Sequence, residues 1–262
     1  MLRRFHLKAW FCLFFLILWA LPVVAQDINM NKNNWRHYTP PENIYNETVN
    51  GIATDDSGNT YVTGWSHNQE TGNDYVTIKY NQHGDEVWVR KYNGSASLGD
   101  RANALAIDKL GNIYVTGWSR DNGTWDDYVT IKYYSNGDTA WTRRYNGPGN
   151  WHDGAWDIAT DRSGNVYVTG WSWGEETKFD YATIKYDKNG KELWVRRYNG
   201  PGNSEDRALN IAIDKNGNAC VSGISLVPGK YWDYVTIKYK PNGDCLWVKK
   251  YTRQGNPPVG IL

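Results

Sequence analysis

The sequence of 262 residues has no excess of either charge: 29 Lys+Arg stand against 28 Asp+Glu. It therefore offers no basic footprint for nucleic acid and no acidic tail. Long apolar runs are scarce too. Only Ala9 to Leu21 is unbroken, which excludes a multi-span membrane protein. No window carries a clear apolar period of 3.6 residues, so almost no helix is expected. Ser-His-Asp and His-x-x-x-His spacings and a glycine-rich phosphate loop are missing, and the histidines at 37, 67, 83 and 152 occupy unrelated positions. Nothing here calls for a catalytic residue, a metal or a cofactor.

The one apolar run is read as a leader. Arg3, Arg4 and Lys8 precede it, and Pro22 and the small-residue end Val23-Val24-Ala25 follow. This is the pattern of a secretory signal peptide over residues 1–25, cleaved after Ala25. The rival is a retained anchor, since Ala9 to Ala25 could just span a bilayer. Cleavage leaves 26 Lys+Arg against 28 Asp+Glu, and only Phe179 among phenylalanines, beside 13 Trp and 19 Tyr. A core of Trp, Tyr, Val and Ile favours strands. An exported chain can oxidise cysteines. Cys220 and Cys245, however, fall on strands with a third between them, about 9–10 Å apart, beyond the reach of a disulfide. Two free thiols are expected.

What is present in abundance is repetition. Gly-Asn occurs at Gly58-Asn59, Gly111-Asn112, Gly164-Asn165 and Gly217-Asn218; Trp recurs at 88, 141, 194 and 247. Thr-Ile-Lys-Tyr is identical at Thr77–Tyr80, Thr130–Tyr133, Thr183–Tyr186 and Thr236–Tyr239. Every interval is 53 residues. Each unit reads as four short strands, A to D, rich in β-branched and aromatic residues and bounded by Gly, Asn and Asp. The A–B turns (Asp108-Lys-Leu-Gly-Asn112 and its copies) carry an Asp that can accept from the turn backbone and a Gly for positive φ. They lack the alternating acidic ladder of a calcium loop. Tandem four-stranded units of this length predict an all-β fold, a β-propeller of antiparallel blades.

The run Asp-x-x-Gly-Asn-x-Tyr-Val-Thr-Gly-x-Ser, then Asp-Tyr-x-Thr-Ile-Lys-Tyr, then Gly-x-x-x-Trp, resembles the bacterial SBBP β-propeller repeat over about residues 50–251. The resemblance implies an exported bacterial propeller and supplies no catalytic residues or shared ligand. That family's repeats build seven blades, and only four complete units are here. The organisation read from sequence is a leader (1–25), a segment 26–49 with a stray outer strand at Trp35–Tyr38, four repeats (50–251) and a tail (252–262). Closure stays open among a four-bladed ring, an open arc and a ring completed by another chain. Imperfect closure of four blades is the expectation.

Antiparallel order puts the A–B and C–D turns at one end and the B–C and D–A loops at the other. The turns are uniform; the loops vary in every copy. Binding sites sit on variable loops of rigid scaffolds. This face also carries exposed-type aromatics, and Trp125, Trp151, Trp173 and Trp232 are the candidate ligand contacts, for a sugar ring or a surface protein. The function expected is a secreted, non-catalytic binding or structural module. One alternative is a carbohydrate-active enzyme using acids such as Glu70, Asp126, Glu175 and Glu176. The other is an assembly unit that self-associates through unclosed blades. Trp88 and its copies are assigned to the core, as are Trp65, Trp118 and Trp171. Lys79, Lys132, Lys185 and Lys238 read as salt-bridge or snorkelling stems between blades, and Asp100, Asp153 and Asp206 as caps of the D–A loops.

Overall fold

The computed structural model describes residues 47–229 and 231–252. The leader, its cleavage site, the stray strand at Trp35–Tyr38 and most of the tail lie outside the described residues. Sixteen strands and no helix make up the rest, so no described helix is long and apolar enough to cross a membrane.

The strands form four antiparallel sheets of four, each in simple chain order. Blade 1 holds β1 (Glu47–Thr54), β2 (Thr60–Asn68), β3 (Gly72–Tyr80) and β4 (Glu86–Tyr92). Blade 2 holds β5 (Asp100–Ile107), β6 (Ile113–Asp121), β7 (Trp125–Tyr133) and β8 (Thr139–Tyr145). Blade 3 holds β9 (Asp153–Thr160), β10 (Val166–Trp173), β11 (Phe179–Tyr186) and β12 (Glu192–Tyr198). Blade 4 holds β13 (Asp206–Ile213), β14 (Ala219–Leu226), β15 (Trp232–Tyr239) and β16 (Cys245–Tyr251). The first strand starts at Glu47, three residues before the repeat boundary read from sequence. Cys220 on β14 and Cys245 on β16 have β15 between them, and both thiols are free.

The A–B turns follow their sequence signature. Asp108 Oδ1 accepts from the Leu110 and Asn112 amides, each at 2.9 Å, and Oδ2 accepts from Asn112 Nδ2 (2.8 Å) and the Tyr114 hydroxyl (2.9 Å). Gly111 takes φ +75°. One carboxylate thereby ties the turn to its own B strand.

The core lies between blades rather than within them. Tyr61, Tyr75 and Trp88 of blade 1 pack on Ala102, Ile113, Val115, Val129 and Ile131 of blade 2. Equivalent residues join blade 2 to blade 3 and blade 3 to blade 4. Four blades thus make three interfaces. The small residues at these contacts are Ala102, Ala155 and Ala208, all fully buried. Ala53, Ala106, Ala159 and Ala212, the small residues that recur further along the A strands at 53-residue spacing, are half-buried or exposed. A bulge in each A strand, between Ala102 and Ala104 in β5, changes which residues face the neighbouring blade.

Among the described residues the ring is not closed. Val49 and Ile52 on blade 1 are both 70% exposed, and every residue of β16 on blade 4 is exposed. Of the three closures, the described residues form the open arc, because the first and last faces do not cover one another. Two further expectations change. Trp65, Trp118 and Trp171 are half-buried, not core; Arg101 lies over Trp65 (4.6 Å) and Trp118 (5.3 Å) instead. Lys79, Lys132 and Lys185 do not form salt bridges between blades. They donate to carbonyls of the next blade, at Ser135, Lys188 and Pro241.

Candidate functional site

On the loop side, two segments converge between blades 2 and 3. The β6–β7 hairpin pairs Arg120 with Asp126 and Asp121 with Trp125. The connection from β8 to β9 brings Trp151 and His152 against it. Trp125 and Trp151 have ring centroids 4.6 Å apart, and His152 lies 5.2 Å from Trp125 and 5.3 Å from Trp151. The two indoles remain 44% and 41% exposed. They form a two-ring aromatic surface in contact with solvent.

Beneath them, Asp126 accepts from Arg120 Nε (2.7 Å) and Nη2 (3.2 Å), and its Oδ2 lies 2.8 Å from His152 Nδ1. The Arg120 guanidinium sits 5.7 Å from the Trp125 ring, and the carboxylate raises its pKa further. A two-contact Arg–carboxylate pair fixes geometry as well as charge. It holds both loops in register, so the tryptophan pair is positioned rather than left to rotamer search.

Trp125 has φ +63°. The equivalent position one repeat earlier is Gly72, at φ +75°. The hairpin demands a left-handed residue there, and blade 2 places tryptophan where glycine is the unstrained choice. Such strain, of roughly 1–3 kcal/mol, persists where the surroundings over-determine it and concentrates at binding sites. The pattern was visible in the repeat alignment, which sets Gly72 against Trp125. The roles of Arg120 and His152 were not, because they depend on which loops meet.

Of the four predicted contacts, the structure unites Trp125 and Trp151. Trp173 lies over Gly149 of the same β8–β9 connection, but its ring packs on Phe179 at 4.9 Å. Trp232 is 38% exposed on blade 4 and has no ring contact with the other three. Among the acids of the enzymatic alternative, Asp126 is committed to Arg120 and His152, while Glu70, Glu175 and Glu176 are exposed on other loops.

Under this face each blade contact buries aspartates. Asp153 accepts from the Gly147 amide (2.5 Å) and the Trp173 amide (3.0 Å), as expected of a loop cap. Burial raises its pKa to about 6, and nearby Asp127 adds to the rise. Asp127 is held by Arg144 at 2.7 Å and Asp180 by Arg197 at 2.8 Å. On the opposite, turn side, two grooves of about 440 and 500 Å³ open between A–B turns of adjacent blades. Their lining is the structural Asp-turn residues themselves, with Lys79 or Lys185, and carries no exposed aromatic ring. Among the described residues no cluster of three metal-ligating side chains occurs.

No curated protein matches the chain. Among solved structures it is similar to a gluconolactonase from Xanthomonas campestris, at 13% identity and TM-score 0.43, over 76% of this chain and 60% of that one. It is similar to a subtype N11 neuraminidase-like protein from a flat-faced bat isolate from Peru, at 13% identity and TM-score 0.48, over 87% and 60%. It is also similar to the beta-propeller domain of the Trilobed protease from Pyrococcus furiosus, described as having an open velcro topology, at 7% identity and TM-score 0.46, over 79% and 58%. The chain thus spans about 60% of the length of each of the first two. Residues 44–69, 87–123 and 140–176 match the SBBP family, a beta-propeller repeat. With these matches set on a chain of four repeated four-stranded blades, the protein belongs to the SBBP beta-propeller repeat family.

Proposed function

We propose that this protein is a secreted, non-catalytic binding module whose ligand contact is the Trp125–Trp151 pair, and that the ligand is a glycan of the cell surface. The observation that supports this most is the tryptophan held at positive φ with its ring in solvent, where the same hairpin in blade 1 uses glycine. Exposed indoles stack on the apolar faces of sugar rings, while His152 and the outer edge of Arg120–Asp126 offer hydrogen bonds at the rim. Export is part of the proposal and rests on the leader over residues 1–25.

The test is a glycan array followed by titration of any hit against variants. Trp125→Ala and Trp151→Ala should each weaken binding by about 2 kcal/mol or more. Trp125→Gly should do the same while leaving stability unchanged or improved by up to about 1 kcal/mol, since glycine relieves the strained φ. Trp232→Ala, in another blade, should bind as the parent does. A ligand weakened only by changes at Lys109 or Arg162 in the A–B turns would move the functional face to the other side and end this reading. Turnover of a glycan that is lost in Asp126→Asn would instead favour the carbohydrate-active alternative.

A further inference from the structure

The three interior blade contacts are copies of one another. Tyr75, Tyr128 and Tyr181 donate their hydroxyls to backbone carbonyls of the next blade, at Val129 (3.2 Å), Ala182 (3.2 Å) and Val235 (3.3 Å). Trp88, Trp141 and Trp194 donate Nε1–H to Ser135 (3.2 Å), Lys188 (3.2 Å) and Pro241 (3.0 Å). Arg90, Arg143 and Arg196 donate Nε–H to Gly137 (2.7 Å), Gly190 (2.6 Å) and Gly243 (2.7 Å).

A fourth set of donors stands on blade 4, and among the described residues nothing covers it. Tyr234 is 57% exposed and Trp247 39%, where Tyr181 and Trp194 are buried. Lys249 occupies the arginine position. Lys238, with no next blade to reach, turns to Asp214 of its own blade at 2.7 Å. A fourth receiving face stands on blade 1. Val49 and Ile52 are open to solvent there, although Ala155 and Ile158 at the same positions of blade 3 are buried. At Gly137, Gly190 and Gly243 an added Cβ would meet the Trp or Arg of the preceding blade at 2.8–2.9 Å; at Gly84 it would meet nothing within 4 Å.

We propose that the blade-4 face of one copy of this chain docks on the blade-1 face of a second copy, head to tail, repeating the interior contact. By the 53-residue correspondence, Tyr234 reaches the Val76 carbonyl, Trp247 that of Gln82 and Lys249 that of Gly84 in the second copy. The contact is heterologous, so it either closes into a ring of blades or propagates. The blade-4 face needs a receiving face of A, B and C strands, and residues 1–46 and 253–262 contain no copy of those signatures. Trp35–Tyr38 copies a D strand alone, without the C-strand Tyr donor, and competes only for part of the blade-1 face. Three departures, Val49 for Ala, Cys220 for Tyr and Lys249 for Arg, make this contact weaker than the interior ones. The association is therefore reversible with concentration.

The experiment is sedimentation velocity on the full chain, as processed by its host, over a wide concentration range. The mass should rise from one chain to two or more. Trp247→Asp spoils the donor face and Ile52→Asp the receiving face; both residues are exposed, and an unchanged thermal transition confirms the fold of each variant. Each variant alone should stay a single chain. An equimolar mixture pairs the intact receiving face of the first with the intact donor face of the second, and should recover a two-chain species. A parent that stays a single chain at every concentration overturns the proposal. So does an associating parent whose mass neither substitution lowers, as does a mixture that remains wholly single-chain at the highest concentration.

Discussion

At the scale of single residues, repeat copies act as internal controls. Gly111 is at φ +75° in an A–B turn, whereas Gly123 tops the β6–β7 hairpin without a positive φ and with open space around it. Valine at position 111 should lower stability by about 1 kcal/mol or more, because a β-branched residue adopts that φ only under strain. Valine at 123 should change it by less than about 0.5 kcal/mol. Denaturant unfolding of the two variants decides, and equal losses would contradict the turn assignment. Asp153 supports a pH prediction of definite sign. Its folded pKa, about 6, lies above the ordinary 3.8, chiefly because burial disfavours the charge. The protonated form is favoured in the fold. Its contribution is complete below about pH 4 and fades as pH rises through 6. Relative to Asp153→Asn, the parent should lose stability between pH 4 and 7, by at most about 3 kcal/mol. A difference that grows in the parent's favour over that range would refute the assignment.

At the scale of the element, the unit of stability is the contact between two sheets. Trp141 and Trp247 hold the same repeat position, but Trp141 is buried against blade 3 while Trp247 is 39% exposed. Trp141→Ala should therefore cost about 3–5 kcal/mol, and Trp247→Ala, in dilute protein, less than about 1 kcal/mol. Thermal unfolding of both variants checks this, and equal costs would mean that blade 4 is covered. Strands, turns and blade order were legible in the sequence because they are local: the Gly-Asn turns, the period-2 strands and the 53-residue spacing each declare themselves. What was not legible depends on relations between distant segments. The bulge in β5 moves the buried small residue from Ala106 to Ala102, and no local signal marks it. The repeated lysines were read as salt-bridge or snorkelling stems between blades; three of them do reach the next blade, but to backbone carbonyls that appear only once its C–D turn is in place. Half of the candidate site was readable for the same reason. Loop variability pointed to the face, but the pairing of Trp125 with Trp151 and the Arg120–Asp126–His152 support required knowing that two loops of successive blades meet.

At the scale of the whole molecule, stability is a sum over neighbouring blades, and the two end blades have one neighbour each. Strands β12 and β16 make this visible. They are equivalent in the repeat, each pairs with the third strand of its own blade in the same register, and they carry nearly the same residues. The difference is cover: Trp194 in β12 is packed beneath blade 4, whereas all of β16 faces solvent. Local opening is governed by such packing, so amide exchange should separate them. In dilute protein the paired amides of Cys245–Tyr251 should exchange about tenfold or more faster than those of Glu192–Tyr198. Blade 1 should show the same weakening at β1, whose Val49 and Ile52 lack a neighbour. Hydrogen exchange read by mass spectrometry gives both comparisons in one experiment. Equal protection in β12 and β16 at every dilution would mean that the first and last blades are covered within a single chain, and the open arc would be wrong. Protection of β16 and β1 that rises together with concentration, while β12 stays constant, is the outcome that the exposed donor and receiving faces require.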